Sequence, residues 1–194
     1  SELGKVLRIR DDGTLPADNP LTEPGTRRVW TLGHRNPQGL VVDEANGRVW
    51  LHEHGPRGGD EVNRLVPGAN YGWPAVTHGI DYSGARISPY RRWPGMVDPE
   101  QVWVPSIAPS GLALYRGDRF PAWRGDLFVG ALVDREVRRL DLEDGAVAGE
   151  ERLFGELDER IRDVRSAPDG FLYLLTDSEA GRLVRVRPAE DTGR

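Results

Sequence analysis

Three short stretches of this sequence carry the residue types that chemistry needs. In Gly33-His-Arg-Asn-Pro-Gln-Gly39, Arg35 and Asn36 are adjacent donors at the entrance of an expected strand, pinned by Pro37 and Gly39. Two such donors side by side can polarise a carbonyl or hold a developing oxyanion. The alternative is a plain turn in which Asn36 caps the loop and Arg35 is solvated. In Gly55-Pro-Arg-Gly-Gly-Asp-Glu61 the glycines leave backbone carbonyls without steric cover, and two neighbouring carboxylates follow. Hard cations such as calcium accept that mixture of oxygens. The spacing is not that of an EF-hand loop, so a Gly-rich connector with solvated Asp60 and Glu61 stays open. His52 and His54 stand at i and i+2 and would share one face of a strand, but no third zinc ligand follows at a convincing spacing. In Arg160-Ile-Arg162-Asp163 the period-two alternation of a strand puts both arginines on one side. Paired guanidinium groups call for a bridging carboxylate or phosphate; the other reading is a solvent-facing edge with Asp163 as partner.

Composition narrows what these stretches could serve. There are 26 basic and 31 acidic residues, a net charge of −5, and no basic run longer than two, which argues against a nucleic-acid partner. Lys5 is the only lysine, so cationic chemistry here is guanidinium chemistry, bidentate and unable to form a Schiff base. The absence of cysteine excludes disulfides, a thiol nucleophile and thiolate metal sites. No apolar run approaches the ~20 residues of a membrane span, and no signal-peptide pattern opens the chain. Six tryptophans, at 30, 50, 73, 93, 103 and 123, speak for a packed domain and are expected to pack strands rather than to face ligand.

The elements that must position these residues are strands. No 12-residue stretch keeps a helical apolar period without an interrupting Gly or Pro. Short β-type runs bounded by turn residues fill the chain: Val6–Arg10, Gly39–Val42, Arg48–His52, Leu112–Tyr115, Leu127–Gly130, Val137–Leu140, Asp163–Arg165, Phe171–Leu175 and Leu183–Arg187. A strand–turn–strand unit recurs loosely, ending its turn in Asn46-Gly47 and again in Asp169-Gly170, with a longer third copy from Gly111 to Val129. Repeats of about 40–50 residues built from antiparallel strands mark propeller blades, so the chain is expected to be all-β with roughly three or four blades. A region rich in Gly, Pro and aromatics from about 55 to 105 breaks the pattern, and long loops of that kind are usually functional. A closed propeller needs about four to eight blades, so part of the ring is expected to come from elsewhere.

Taken in order, Gly-His-Arg-Asn-Pro-Gln-Gly, Glu53-His-Gly-Pro-Arg-Gly-Gly-Asp-Glu-Val-Asn63, Gly68-Ala-Asn-Tyr-Gly-Trp-Pro74, Pro105-Ser-Ile-Ala-Pro-Ser-Gly111 and Arg160-Ile-Arg-Asp-Val164 resemble the soluble glucose/sorbosone (aldose sugar) dehydrogenases that use pyrroloquinoline quinone (PQQ). The resemblance runs from about Gly4 to Pro188 and matches the C-terminal part of that family, whose fold is a six-bladed β-propeller. It implies oxidation of an aldose at its anomeric hydroxyl by hydride transfer to PQQ, with calcium as second cofactor. It implies that Arg35 and Asn36 contact the reactive quinone carbonyls, and that Ser106, Arg160 and Arg162 also bind the cofactor. Gly55 and Pro56 match backbone ligands of the calcium beside PQQ, and Glu61 and Tyr71 match a second, structural calcium site. Where the family commonly has a cofactor-binding lysine this chain has Val133, in Gly130-Ala-Leu-Val-Asp134. The family's catalytic histidine lies in its N-terminal half, so His34 does not take that role. The expected partners are therefore the aldose and either the N-terminal half of the propeller or a second copy. By itself the chain is expected to be inactive, or a calcium-stabilised fragment that binds ligand without redox activity. Family members are periplasmic or secreted.

Overall fold

A computed structural model describes residues 1–189. They form thirteen strands and two short 3-10 turns, Pro121–Trp123 and Gly155–Leu157. The chain divides into two compact units, one from Ser1 to Ser106 and one from Ile107 onward.

In the first unit β1 (Lys5–Leu7) pairs with β2 (Val29–Leu32), and β3 (Pro37–Asp43), β4 (Arg48–Glu53), β5 (Asp60–Arg64) and β6 (Gln101–Trp103) form an antiparallel meander. The Asp43–Arg48 turn sets the register of the hairpin, placing Leu40 opposite Leu51 and Val41 opposite Trp50. Strand β4 is the centre of this sheet, and its Trp50 and Leu51 are fully buried. Leu51, Leu65 and Tyr71 make a small core, to which Val6 and Trp30 of the β1–β2 pair and Val97 of the long connection add their apolar faces. That connection covers 65–100, because β5 and β6 lie inside the Gly/Pro-rich region and complete the sheet.

The second unit repeats the plan. Strands β7 (Pro109–Leu114), β8 (Leu127–Ala131), β9 (Val137–Glu143) and β10 (Ala146–Leu153) form another four-stranded meander. Strands β11 (Ile161–Ser166), β12 (Leu172–Thr176) and β13 (Leu183–Val186) make a three-stranded sheet. Tyr115, Phe128, Val137, Ile161, Val164, Leu172 and Leu174 share one core between these two sheets. Each fully buried side chain of this size contributes about 1.5–3 kcal/mol. The Tyr115 hydroxyl is satisfied there, donating to Gly170 O at 2.6 Å. Propeller blades are four-stranded antiparallel meanders, the plan of the two four-stranded sheets here, and the architecture is all-β and part of a β-propeller. Among the described residues no helix is long and apolar enough to cross a membrane.

Candidate functional site

The Arg35-Asn36 pair follows one of two backbone segments, 32–33 and 69–73, that are held against each other. Leu32 N donates to Ala69 O at 3.0 Å, Tyr71 N to Leu32 O at 2.8 Å and Trp73 N to Gly33 O at 2.8 Å. The approach is so close that a Cβ at Gly33 would stand 2.0 Å from Asn70 Oδ1 and 2.6 Å from Gly72 N, and its φ of +79° is also a glycine conformation. This docking stacks Tyr71 on the buried His34 ring at 4.7 Å and lays Trp73 under the Arg35 guanidinium at 5.3 Å. Trp73 thus packs on a site residue, while Trp93 is 45% exposed rather than packed in a sheet.

Glu53, at the end of β4, fixes the pair from inside. Its Oε2 accepts from the backbone N–H groups of Arg35 (2.5 Å) and Asn36 (3.2 Å), and its Oε1 from Asn63 Nδ2 at 3.2 Å. His34 Nδ1 lies 2.9 Å from the same Oε1, and Nε2 lies 2.9 Å from Thr31 Oγ1. A carboxylate that is 4% exposed is thereby surrounded by four partners. With its backbone so held, Arg35 reaches over the next loop and donates from Nη1 to His54 O (3.1 Å) and Gly55 O (2.8 Å). The Asn36 side chain stays at the surface, accepting from Gln38 Nε2 at 3.0 Å.

The Gly55–Asp60 loop is tightly wound. A Cβ at Gly55 would fall 2.2 Å from Gly58 O and 2.3 Å from Gly59 O, so only glycine fits. Asp60 Oδ1 closes the loop by accepting from Gly55 N at 2.9 Å and from the Ser106 hydroxyl at 2.9 Å. Ser106 Oγ in turn accepts from Gly58 N at 3.1 Å, so this serine braces the loop. Pro56 is buried in it. Glu61 and Tyr71 line one small cavity together with Arg35, Glu53, Gly55 and Thr77. Burial, and then the neighbouring charges of Glu53 and Asp60, push the Glu61 carboxyl up to about 8, against a weaker opposing hydrogen bond from Asn63. The Tyr71 hydroxyl donates to Arg64 O at 2.6 Å and accepts from Val66 N at 2.9 Å. Among the described residues no cluster of three or more His, Cys, Asp or Glu side chains is arranged for a metal.

Arg160 and Arg162 belong to the second unit. They share a face as the alternation requires, but their anion is Asp177, just beyond β12, whose Oδ2 accepts from Arg160 Nε at 3.0 Å and Arg162 Nη2 at 2.7 Å. Pairing of β11 with β12 explains the choice, since Asp177 N donates to Arg160 O at 2.8 Å and sets the carboxylate between the two arms. Asp163 is not the partner expected from its neighbouring position. Its Oδ1 accepts from Val164 N and its Oδ2 from Arg165 Nε, each at 2.9 Å. Val133 is exposed.

Sequence reasoning finds Arg35, Asn36, Gly55, Glu61, Tyr71 and Ser106 and the structure brings them together in the first unit, but it misses Glu53 and Asp177. Glu53 sits inside the Glu-His-Gly-Pro stretch, where its place at the buried end of β4 was the available signal. Asp177 follows an apolar strand, and nothing near it in sequence points to Arg160.

The fold is that of part of a β-propeller, and the comparisons with known proteins give its family. A family model described as Glucose / Sorbosone dehydrogenase matches residues 1–185, and the chain belongs to that family. It is 44% identical over 189 residues to the aldose sugar dehydrogenase YliI of Escherichia coli K12, covering 95% of this chain and 51% of that protein. A glucose dehydrogenase crystal structure superposes with a TM-score of 0.90 at 50% identity, covering 96% of this chain and 55% of that one. The PQQ-bound aldose sugar dehydrogenase of Streptomyces coelicolor superposes with a TM-score of 0.74 at 29% identity, covering 95% and 52%. The chain spans about half the length of the relatives it matches.

Proposed function

We propose that this chain forms the quinone-contacting and cation-binding part of a PQQ- and calcium-dependent dehydrogenase that oxidises the anomeric hydroxyl of an aldose. The observation that carries the reading is the guanidinium of Arg35 lying on the carbonyl oxygens of His54 and Gly55. Those oxygens point where a cation is favoured, and glycine alone fits the wound loop that presents them. The residues therefore suit the implied groups. Gly55 and Pro56 would offer carbonyl oxygens to calcium beside the cofactor, and Glu61 with Tyr71 a second, structural calcium. When bound, PQQ would supply the hydride acceptor.

The chain's own residues have defined tasks in this reading. Arg35 and Asn36, their backbone pinned by Glu53, would place donors at a position where negative charge develops, at no reorganisation cost during reaction. Arg160 and Arg162, already aligned on Asp177, keep further N–H donors for cofactor carboxylates. Ser106 would offer its remaining lone pair while holding the loop. The S. coelicolor relative named as PQQ-bound supports the cofactor. Val133, an exposed apolar residue at the position of the family lysine, favours a second reading in which the chain binds ligand without turnover.

The test is a titration of the protein with PQQ and calcium, followed by cofactor absorbance and by dye-linked oxidation of aldoses. Saturable binding that is lost in Arg35→Ala, with oxidation in the full-length protein, is the expected result. No PQQ binding at millimolar calcium would overturn the proposal, and binding without oxidation would select the second reading.

A further inference from the structure

We propose that the long connection of the first unit contains a binding pocket for a small oxyanion, a carboxylate or phosphate group, held by Arg86 and Arg91. The pocket measures about 270 Å³ and is lined by both arginines with Thr77, His78 and Ser88, and by no acidic residue. That size suits one compact group rather than an extended ligand.

The walls are held in place by their own hydrogen bonds. Thr77 N donates to Tyr90 O at 3.2 Å, Tyr90 N to Ser88 Oγ at 3.1 Å, and Gly79 N to Thr77 Oγ1 at 3.2 Å. The Ser88 hydroxyl donates to Ala75 O.

Charge is what marks the pocket. The protein carries a net charge of −5, and the neighbouring Arg64 and Arg92 are each paired with an acid, Glu100 at 3.3 Å and Asp98 at 3.1 Å. Here the local acids are spent elsewhere. Asp98 pairs with Arg92 Nε at 3.1 Å, and Asp81 Oδ1 accepts from the backbone (2.8 Å) and hydroxyl (2.6 Å) of Ser83. Among the described residues Arg86 and Arg91 have no carboxylate partner. Burial, and next the charge of Arg91, hold the half-buried His78 below its ordinary range, so it faces the pocket as a neutral imidazole able to donate or accept. Arg86 and Arg91 are exposed and line one open pocket, where two like charges repel until an anion bridges them, and each guanidinium offers a fork that fits a carboxylate or phosphate edge.

The pocket also borders the candidate site. Arg57 N donates to Ile80 O at 3.0 Å and Ile80 N to Arg57 O at 3.1 Å, so the pocket wall is paired directly with the Gly55–Asp60 loop. An anion drawing the two arginine arms together would brace that loop. The inference requires neither PQQ nor calcium and stands apart from the redox reading.

The experiment is calorimetric titration of the protein at fixed ionic strength with inorganic phosphate, glucose 6-phosphate and glucose. Saturable one-to-one binding of phosphate is expected, weakened tenfold or more in the double variant Arg86→Ala/Arg91→Ala and unchanged in Arg124→Ala, an exposed arginine of the second unit. The pair Arg86→Lys/Arg91→Lys, which keeps the charge and the fold but loses the fork, should fall between. Tighter binding of glucose 6-phosphate than of phosphate identifies an anion carried on a sugar; equal binding identifies a free oxyanion. Absence of saturable binding by either anion, or equal binding by the wild type and both double variants, overturns the proposal.

Discussion

The two units each organise arginines around a single carboxylate, and they do so in opposite environments. In the first, Glu53 is buried and holds backbone N–H groups, leaving the guanidinium of Arg35 to face carbonyl oxygens. In the second, Asp177 holds the guanidinium groups themselves, with side chains that are 45%, 47% and 34% exposed for Arg160, Arg162 and Asp177. A buried carboxylate whose partners cannot reach water becomes part of the fold, because any loss leaves donors stranded. A carboxylate at the surface competes with water and salt, so it sets where charges stand while adding little to stability. The same chemistry therefore holds the fold where it is buried and only orients side chains where it is exposed.

The sharpest way to break this contrast is to remove one acceptor oxygen from each. Glu53→Gln turns an acceptor into a donor facing either His34 or the Arg35 and Asn36 amides, and should cost about 3 kcal/mol or more of unfolding free energy. Urea unfolding measures it, with Asp177→Asn beside it as the exposed counterpart. Equal midpoints for the two variants would show that burial is not what separates them.

A second test uses pH. The folded protein holds the Glu61 proton until about 8, whereas the unfolded chain releases it near the ordinary glutamate value of 4.5. The contribution is thus complete below pH 4.5, declines as pH rises, and is gone above 8. The decline should approach 1.4 kcal/mol per pH unit at its steepest. Glu61→Gln should flatten the profile. Millimolar calcium, if it binds this carboxylate, should flatten it too by favouring the ionised form. A wild-type profile without slope between 5 and 8 would show that Glu61 is not held in its neutral form.

Much of this was legible in the sequence for physical reasons. The hairpin of β3 and β4 shows apolar runs around an Asn-Gly turn, and β8 and β12 are apolar enough to announce themselves. Strands β5 (Asp-Glu-Val-Asn-Arg) and β10 (Ala-Val-Ala-Gly-Glu-Glu-Arg-Leu) do not, because their charged residues have low strand propensity and are held by partners elsewhere. Asp60 is visible in the sequence as a carboxylate beside Glu61, but its loop-closing role is not, since that role comes from Gly55 N and the Ser106 hydroxyl, the latter contributed by a residue 46 positions away. Arg160 and Arg162 were readable as an anion-seeking pair, but their partner depends on the register of β12, which local pattern does not encode. Alternation says which residues share a face; only pairing says what stands opposite.

A third prediction concerns the loop that Asp60 closes. Gly55→Ala would place a methyl group against Gly58 O and Gly59 O, both backbone atoms that cannot swing away. The loop must shift, at a cost of about 1–3 kcal/mol, and Gly55 O would leave the reach of Arg35. The calcium-dependent rise in melting temperature expected for wild type should shrink or vanish in this variant. An unchanged rise would mean that the Gly55 carbonyl is not a ligand.

The smallest effect is expected at Asp177, and it is the one that separates function from fold. Asp177→Asn removes an exposed charge, so the melting temperature should stay where it is. Arg160 and Arg162 then lose the oxygen that aligns them, and ordering two rotamer-rich side chains becomes part of any binding event. The added positive charge works the other way, but at the surface salt screens it. Alignment should win, and PQQ should bind about three- to tenfold more weakly, measured by cofactor absorbance or quenching of tryptophan fluorescence. Repeating the titration at high salt would reduce any compensating attraction and widen the gap. Tighter binding by Asp177→Asn would instead make this carboxylate a competitor for the arginines, and the comparison between the two units would have to be redrawn around charge rather than position.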